Sequence, residues 1–228
     1  GMPQRNMTFS MRGSYGYKDR YFIEGSFGYN GSERFAENNR MGFFPAGGLA
    51  WVASSEPFMQ SVSNWLSYLK FRASYGKVGN DGIVATPRFV FLPIIDRLNN
   101  PKYANPQPGG ATDYYRYIVS AYPNKDIEWE IAEQINFGME AKMFSGILEF
   151  TLDAFQEIRH NVIGNKNTLP SSAGVEVAPL ANIGKSRMRG IDFSGKVQHA
   201  FSQDCWMILN GTLTYSKSIY KEIEEAIG

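Results

Sequence analysis

The sequence is short of most things that carry chemistry. Its 228 residues hold one cysteine, Cys205, so neither an internal disulfide nor a CxxC metal site can form. The two histidines, His160 and His199, share no spacing suited to a metal, and a zinc site needs three or four converging ligands. No metal, cofactor or catalytic residue is expected. Neither sign of charge is in excess: 23 Lys and Arg against 22 Asp and Glu leave a formal net charge of +1. That balance gives no phosphate-attracting field and argues against nucleic acid as a partner. There is also no run of about 18 apolar residues, the minimum for a helical membrane span. A mean hydropathy of −0.32 reads as soluble, yet strands that alternate apolar and polar residues cancel in any such average, so a transmembrane barrel stays open. The opening "GMPQRNMTFS" has no apolar core after its charges, and Gly1 ahead of Met2 reads as a cleavage scar, left out of the fold reasoning.

What the chain does contain points to β-structure. Aromatics are 14% of the residues, with 13 Tyr and 16 Phe, and there are 23 Gly; that composition suits sandwiches, barrels and propellers. The stretch "IEWEIAEQINFGMEAKMFSGILEFTLDAFQE" alternates with a period of two. Ile127, Trp129, Ile131, Ile135, Phe137, Met139, Ala141 and Met143 fall on one side, with Glu133 the exception, and Glu128, Glu130, Gln134, Asn136, Glu140 and Lys142 on the other. The same alternation runs through 7–15, 21–29, 43–51, 69–75, 148–154, 191–201 and 207–216. This predicts an all-β, antiparallel chain of about eight long strands. Brief reversals fall at "YKDR", "SG" and "SQD", and a short helix capped by Ser54 or Ser55 is expected in "SSEPFMQSVSNW". Long loops are expected from Asn80 to about Asp126 and from His160 to about Lys185.

Short turns at one end and long loops at the other are the habit of a membrane barrel. Lys70, Arg72, Glu140, Lys142, Glu149, Asp153, Asp192 and Lys196 share the polar face, which would line a wet lumen, leaving the apolar face to lipid. Tyr15, Tyr21, Tyr75, Trp129 and Tyr215 then fall where interfacial girdles sit. The rival reading is a self-contained soluble all-β module that binds carbohydrate or peptide, since a sandwich also has one polar face. Carboxylate pairs such as Glu149 and Asp153 could hydrolyse a glycoside if held about 5–9.5 Å apart, but a lumen salt network explains them more simply. The glycines of "GSFGYNG" lie in a strand pattern and not at the strand-to-helix turn of a dinucleotide site. The loop from Asn80 to Asp126 offers the best candidate ligand contacts. Tyr103, Tyr114, Tyr115 and Tyr117 give flat rings beside Asp81, Arg97, Asp113 and Arg116, a mixture suited to sugar faces and hydroxyls.

"YKDRYFIEGSFGYNGSERFAENNRMGFFPAGGLAW", "LKFRASYGKVGN", "IEWEIAEQINFGMEAKMFSGILEFTLDAF" and "LANIGKSRMRGIDFSG" resemble, in order, segments of the SusC/RagA family of TonB-linked outer-membrane proteins. The resemblance runs from about Phe9 to Lys217. It implies that residues 1–228 are a segment of a 22-stranded transmembrane β-barrel domain, with the plug, the earlier strands and the final strands absent. It further implies uptake of an oligosaccharide or a peptide across the cell outer membrane, energised by the TonB complex through the absent plug, beneath a SusD-like surface lipoprotein lid. No chemistry on the substrate is implied. "YPNKDIEWE" departs from the family's usual Asn-Pro-Asp-Leu-like lead, which leaves the shape of that loop in doubt.

Overall fold

The computed structural model describes residues 5–82, 88–107, 110–168, 174 and 177–222, with side chains described at all of these except 98–107, 110–116 and 222. Alternating residues form long strands wherever the period of two holds. In chain order they are β1 (Asn6–Tyr17), β2 (Tyr21–Ser32), β3 (Met41–Val52), β4 (Leu66–Asn80), β5 (Ile94–Gln107), β6 (Gly110–Ala121), β7 (Glu130–Met143), β8 (Leu148–Asn165), β9 (Leu180–Ala200) and β10 (Trp206–Glu222). Eight of them make one antiparallel sheet in the order β1-β2-β3-β4-β7-β8-β9-β10, and β5 and β6 pair apart from it. Each sheet strand therefore lies beside its neighbour in sequence, except where the β5–β6 excursion leaves between β4 and β7.

Turn chemistry closes one end tightly. Lys18 and Asp19 both take positive φ between β1 and β2, as do Phe144 and Ser145 between β7 and β8. Such backbone reverses a hairpin without splaying its strands. Between β3 and β4 the chain makes two 3₁₀ turns, Ala53–Ser55 and Pro57–Val62, whose N-cap positions are Val52 and Glu56 with no side-chain cap. Ser54 and Ser55 thus lie inside the first turn, which corrects the expected capping. Pro57 instead starts the second turn, where a missing N–H costs nothing.

Register carries the apolar face across all eight strands. One row reads Phe9, Tyr29, Phe43; another reads Leu49, Ala73, Phe137, Ala154, Ile191, Tyr215. These side chains do not converge on a dry interior. Leu49, Phe137, Leu209 and Leu213 are 57–66% exposed, and among the described residues no second layer covers them. A soluble sandwich would bury this face against another sheet, so that reading fails. A continuous apolar surface of this extent is far beyond what a soluble monomer leaves in water.

The loop end differs most from expectation. The segment 80–126 holds the β5–β6 hairpin and is not an irregular loop. Much of the second expected loop is strand, since β8 runs on to Asn165 and β9 starts at Leu180. Ile127 and Trp129 precede β7, and Trp129 is buried at 8% exposure, so it is not part of an outward girdle. It joins Phe35, Phe44, Val90 and Ile127 in a small core above the sheet. Its ring lies 5.2 Å from Phe35 and 5.3 Å from Phe44, and its Nε1 donates to the Arg40 carbonyl at 3.2 Å. Asn39 Nδ2 donates to the carbonyls of Lys125 and Ile127, both at 3.3 Å. Phe44 reaches this core because Gly79 leaves room: a Cβ there would lie 1.9 Å from its ring.

Trp129→Ala removes the hub of this core, and truncating a buried aromatic costs about 3–5 kcal/mol. In the variant, hydrogen exchange should rise at 33–40 and 125–129 while β7 and β8 stay protected. Loss of protection throughout the sheet would contradict a core confined to the loops.

Candidate functional site

The polar face carries charge in register. Lys70 stands beside Glu140 between β4 and β7, Lys142 beside Glu149 between β7 and β8, and Glu149 beside Lys196 between β8 and β9. Lys70 Nζ lies 3.8 Å from Glu140 and Lys142 Nζ 3.5 Å from Glu149. Arg72 Nη2 donates to both oxygens of Asp153, at 2.8 and 2.7 Å, while its Nε lies 3.6 Å from Glu140. Further along, Arg12 donates to Glu24 at 2.6 Å, and Gln134 and Arg159 donate to Glu157 at 2.8 and 2.6 Å.

Arg72 and Asp153 meet across an intervening strand because the residue between them is Gly138. A Cβ at Gly138 would lie 2.4 Å from Arg72 Nε and 2.4 Å from Asp153 Oδ1. Asp192 stands directly opposite Asp153 in β9, and its Oδ1 is buried with no hydrogen-bond partner among the described residues. Glu149 and Asp153, the carboxylates considered for hydrolysis, are thus held by cations. A general acid would need a carboxyl in apolar surroundings. Half-exposed pairs like these are worth about 0–1 kcal/mol each; their effect is to line the face with fixed, hydrated charge. Among the described residues no three His, Cys, Asp or Glu side chains group as metal ligands.

The expected ligand contacts gather at the opposite end from the tight turns. Asp81 follows the last residue of β4, and its carbonyl accepts from Arg34 Nη1 at 3.1 Å. The others lie on one hairpin: Arg97 opposite Tyr117, Leu98 opposite Arg116, Tyr103 opposite Tyr114 and Ala104 opposite Asp113, with Tyr115 in the same strand β6. Tyr117 is 65% exposed. The side chains of Tyr103, Asp113, Tyr114, Tyr115 and Arg116 fall outside the described residues. Nearby, Glu33 accepts from Arg88, and that contact holds its carboxyl below the ordinary range against the opposing effect of burial. Period-two reading misses the Phe35 core and the Gly138 crossing, because both depend on which strands become neighbours.

At the turn end, Glu56 ties three elements together. Tyr21 Oη donates to its Oε1 at 2.5 Å, Trp51 Nε1 to the same oxygen at 3.2 Å, and Arg20 Nη1 to Oε2 at 3.3 Å. The Tyr21 bond is the main cause that lowers its carboxyl pKa, with burial opposing and Trp51 and Arg20 adding to the depression.

A sheet that meets lipid on one side and water on the other has one membrane-compatible form, a barrel closed on itself; this sheet is a sector of such a transmembrane barrel. The chain belongs to the TonB dependent receptor-like, beta-barrel family, whose model matches residues 5–227, and within it to the SusC/RagA group. It is 27% identical over 226 residues to the TonB-dependent receptor SusC of Bacteroides thetaiotaomicron, covering 98% of this chain and 21% of that protein. It is 26% identical over 193 residues to the TonB-dependent receptor P3 of Formosa agariphila, covering 85% of this chain and 18% of that one. The fold matches the RagAB peptide importer in its open-open state with a TM-score of 0.80 at 24% identity, over 96% of this chain and 22% of that chain. The chain spans about one fifth of the length of these relatives.

Two outcomes test the site. Gly138→Val in the full-length receptor should force Arg72 and Asp153 apart and lower its unfolding temperature, whereas Gly211→Ala, where a Cβ meets nothing within 4 Å, should leave it unchanged. For Glu56, the depressed pKa means its contribution is present above the ordinary carboxylate range and is lost as pH falls through the lower folded value. Glu56→Gln should therefore destabilise the turn end at pH 7, and wild type and variant should converge as pH falls through the acid range below the ordinary carboxylate value, read by limited proteolysis at 53–65. A gap that stays constant through the acid range would refute the assignment.

Proposed function

We propose that this chain forms part of the wall and the extracellular rim of an outer-membrane, TonB-dependent importer of an oligosaccharide or a peptide. The observation that carries the reading is the division of one sheet into an exposed apolar face and an ion-paired polar face, with tight turns at one end and a built rim at the other. The family match supports the same class.

In this reading the apolar face lies against outer-membrane lipid. The ionic face borders an aqueous lumen that the plug fills, and the plug is the part that TonB engages. The ion pairs keep the wall hydrated and hold most of its charges against one another. The hairpin and the small core beneath it face the cell exterior, where a SusD-like lipoprotein closes over the cargo. Asp81, Arg97, Tyr103, Asp113, Tyr114, Tyr115, Arg116 and Tyr117 supply ring faces and hydrogen-bonding groups to that cargo or lid. The reading involves no bond making or breaking on the cargo and no resident cofactor.

The full-length receptor should be recovered with outer membranes and need detergent for extraction; recovery in the aqueous fraction would sink the barrel orientation. Arg97→Ala together with Tyr117→Ala should weaken cargo binding by roughly fivefold or more, the ordinary cost of truncating contact residues, while leaving membrane insertion intact. Unchanged binding would remove the hairpin from the ligand-contacting role without touching the barrel.

A further inference from the structure

Where the oily face ends, cations take its place on the same outward side. Register gives three successive rows across β4, β7, β8, β9 and β10. The lowest is Ala73, Phe137, Ala154, Ile191, Tyr215; the next is Tyr75, Ile135, Gln156, Arg189, Lys217; the third is Lys77, Glu133, Ile158, Arg187, Ile219. The lowest row is apolar apart from a tyrosine hydroxyl, and the next turns polar at β8. Strands tilted by about 40° shift such a row by roughly 3 Å in height per strand, so one row can leave the oily zone partway across. From Leu66 to Tyr75 β4 climbs about 23 Å along the barrel axis at that tilt, close to the height of an apolar band of about 25 Å. Arg187, Arg189 and Lys217 therefore stand at headgroup level on the side of the long connections.

Their surroundings point to an anion. Arg187 Nε and Nη2 donate to Gln156 Oε1 at 3.1 and 2.6 Å, and Arg189 Nε donates to the same oxygen at 2.8 Å. One neutral oxygen thus gathers two guanidinium groups, and no described carboxylate lies within ion-pair distance of either or of Lys217. The carboxylate on the same side, Glu133, is already taken by Lys77 at 2.8 Å, with His160 at 3.9 Å. On the edge strand, Glu222 stands opposite Lys185. A shallow depression of about 430 Å³ lies among Arg187, Arg189, Ile191, Tyr215, Lys217 and Ile219. Its walls are cationic at the top and continue below into the oily band. A free anion would have no use for that apolar floor, whereas a lipid uses both parts at once. Guanidinium groups suit the recognition, since their paired N–H donors match phosphate oxygens.

We propose that Arg187, Arg189 and Lys217 bind the phosphate of an outer-leaflet lipid headgroup, with the acyl chains lying along Ile191 and Tyr215. This rests on the membrane-barrel orientation given above. The test uses the full-length receptor in nanodiscs of phosphatidylcholine doped with either monophosphoryl lipid A or its phosphate-free form, with retained lipid read by native mass spectrometry after washing. Wild type should retain the phosphorylated lipid preferentially. At roughly fivefold per basic side chain near a membrane surface, the combined Arg187→Gln, Arg189→Gln and Lys217→Gln variant should lose at least about tenfold in retention. Lys217→Gln alone, which leaves the Gln156 cluster in place, should lose an intermediate amount. Lys142→Gln with Lys196→Gln, on the opposite face, should lose none. Equal retention of both lipids, equal loss in the opposite-face variant, or displacement of the lipid by millimolar inorganic phosphate would overturn the proposal while leaving the barrel intact. Failure of the wild-type receptor to enter nanodiscs at all would overturn the orientation and this site with it.

Discussion

Backbone hydrogen bonding in the absence of water governs this structure. A strand in a bilayer must satisfy every N–H and C=O through its neighbours, because no solvent is there to do so. The strands accordingly run as long ladders whose register shifts fall near strand ends, at Leu66/Tyr68, Arg159/Ile163 and Tyr220/Glu222, and β9 extends over 21 residues. The same ladder fixes which residues share a face. Once Ala73, Phe137, Ala154 and Ile191 stand in one row, Arg72, Gly138, Asp153 and Asp192 must stand in the next. A slip of one residue would send the ionic row into lipid and the oily row into water. The cost of charge in a low-dielectric medium is what makes this register unique.

Within that constraint the two ends of the sheet solve different problems. At the turn end there is little chain to organise, and a single carboxylate, Glu56, gathers Tyr21, Trp51 and Arg20 around the two 3₁₀ turns. The loop end has far more chain and no lipid to hold it. It builds its own core from Phe35, Phe44, Val90, Ile127 and Trp129, pinned by Asn39 and by the Trp129 indole. Ordering these connections beforehand would lower the entropy lost in the cargo or lid contact proposed for this end. The β5–β6 hairpin pairs apart from the eight-stranded sheet.

Where the chain obeys a period of two, the strands and their faces were legible without coordinates, because side-chain direction in a strand is set by the backbone alone. The misses came where that rule stops applying. Ile127 and Trp129 continue the alternation of β7, but β4 ends at Asn80 and the ladder stops at its partner Glu130. Alternation cannot mark where a neighbour runs out. The β5–β6 hairpin was hidden by Pro101 and Pro106, which suit only the unpaired side of a ribbon, and by register shifts between Leu98 and Tyr103 that break the period. The candidate contacts share a chemistry of rings and charges and no common periodicity. Their common hairpin became visible only through pairing, and Asp81 lies apart from it at the end of β4.

Gly138 shows why composition alone undervalues the polar face. In sequence it is a small residue amid Asn136 and Glu140, and glycine inside a strand weakens it. In the sheet it is the gap that lets Arg72 bridge β4 to β8 across β7. An ion pair between adjacent strands adds little to a ladder already holding them together. One that skips a strand constrains the curvature of three, since its length changes as the sheet flattens or bends. Large side chains spread on the lipid side and a glycine on the lumen side favour the same curvature, with the polar face concave. Curving of that sign closes a barrel around water, so the residue that looks weakest in the strand belongs to the geometry that gives the wall its inside.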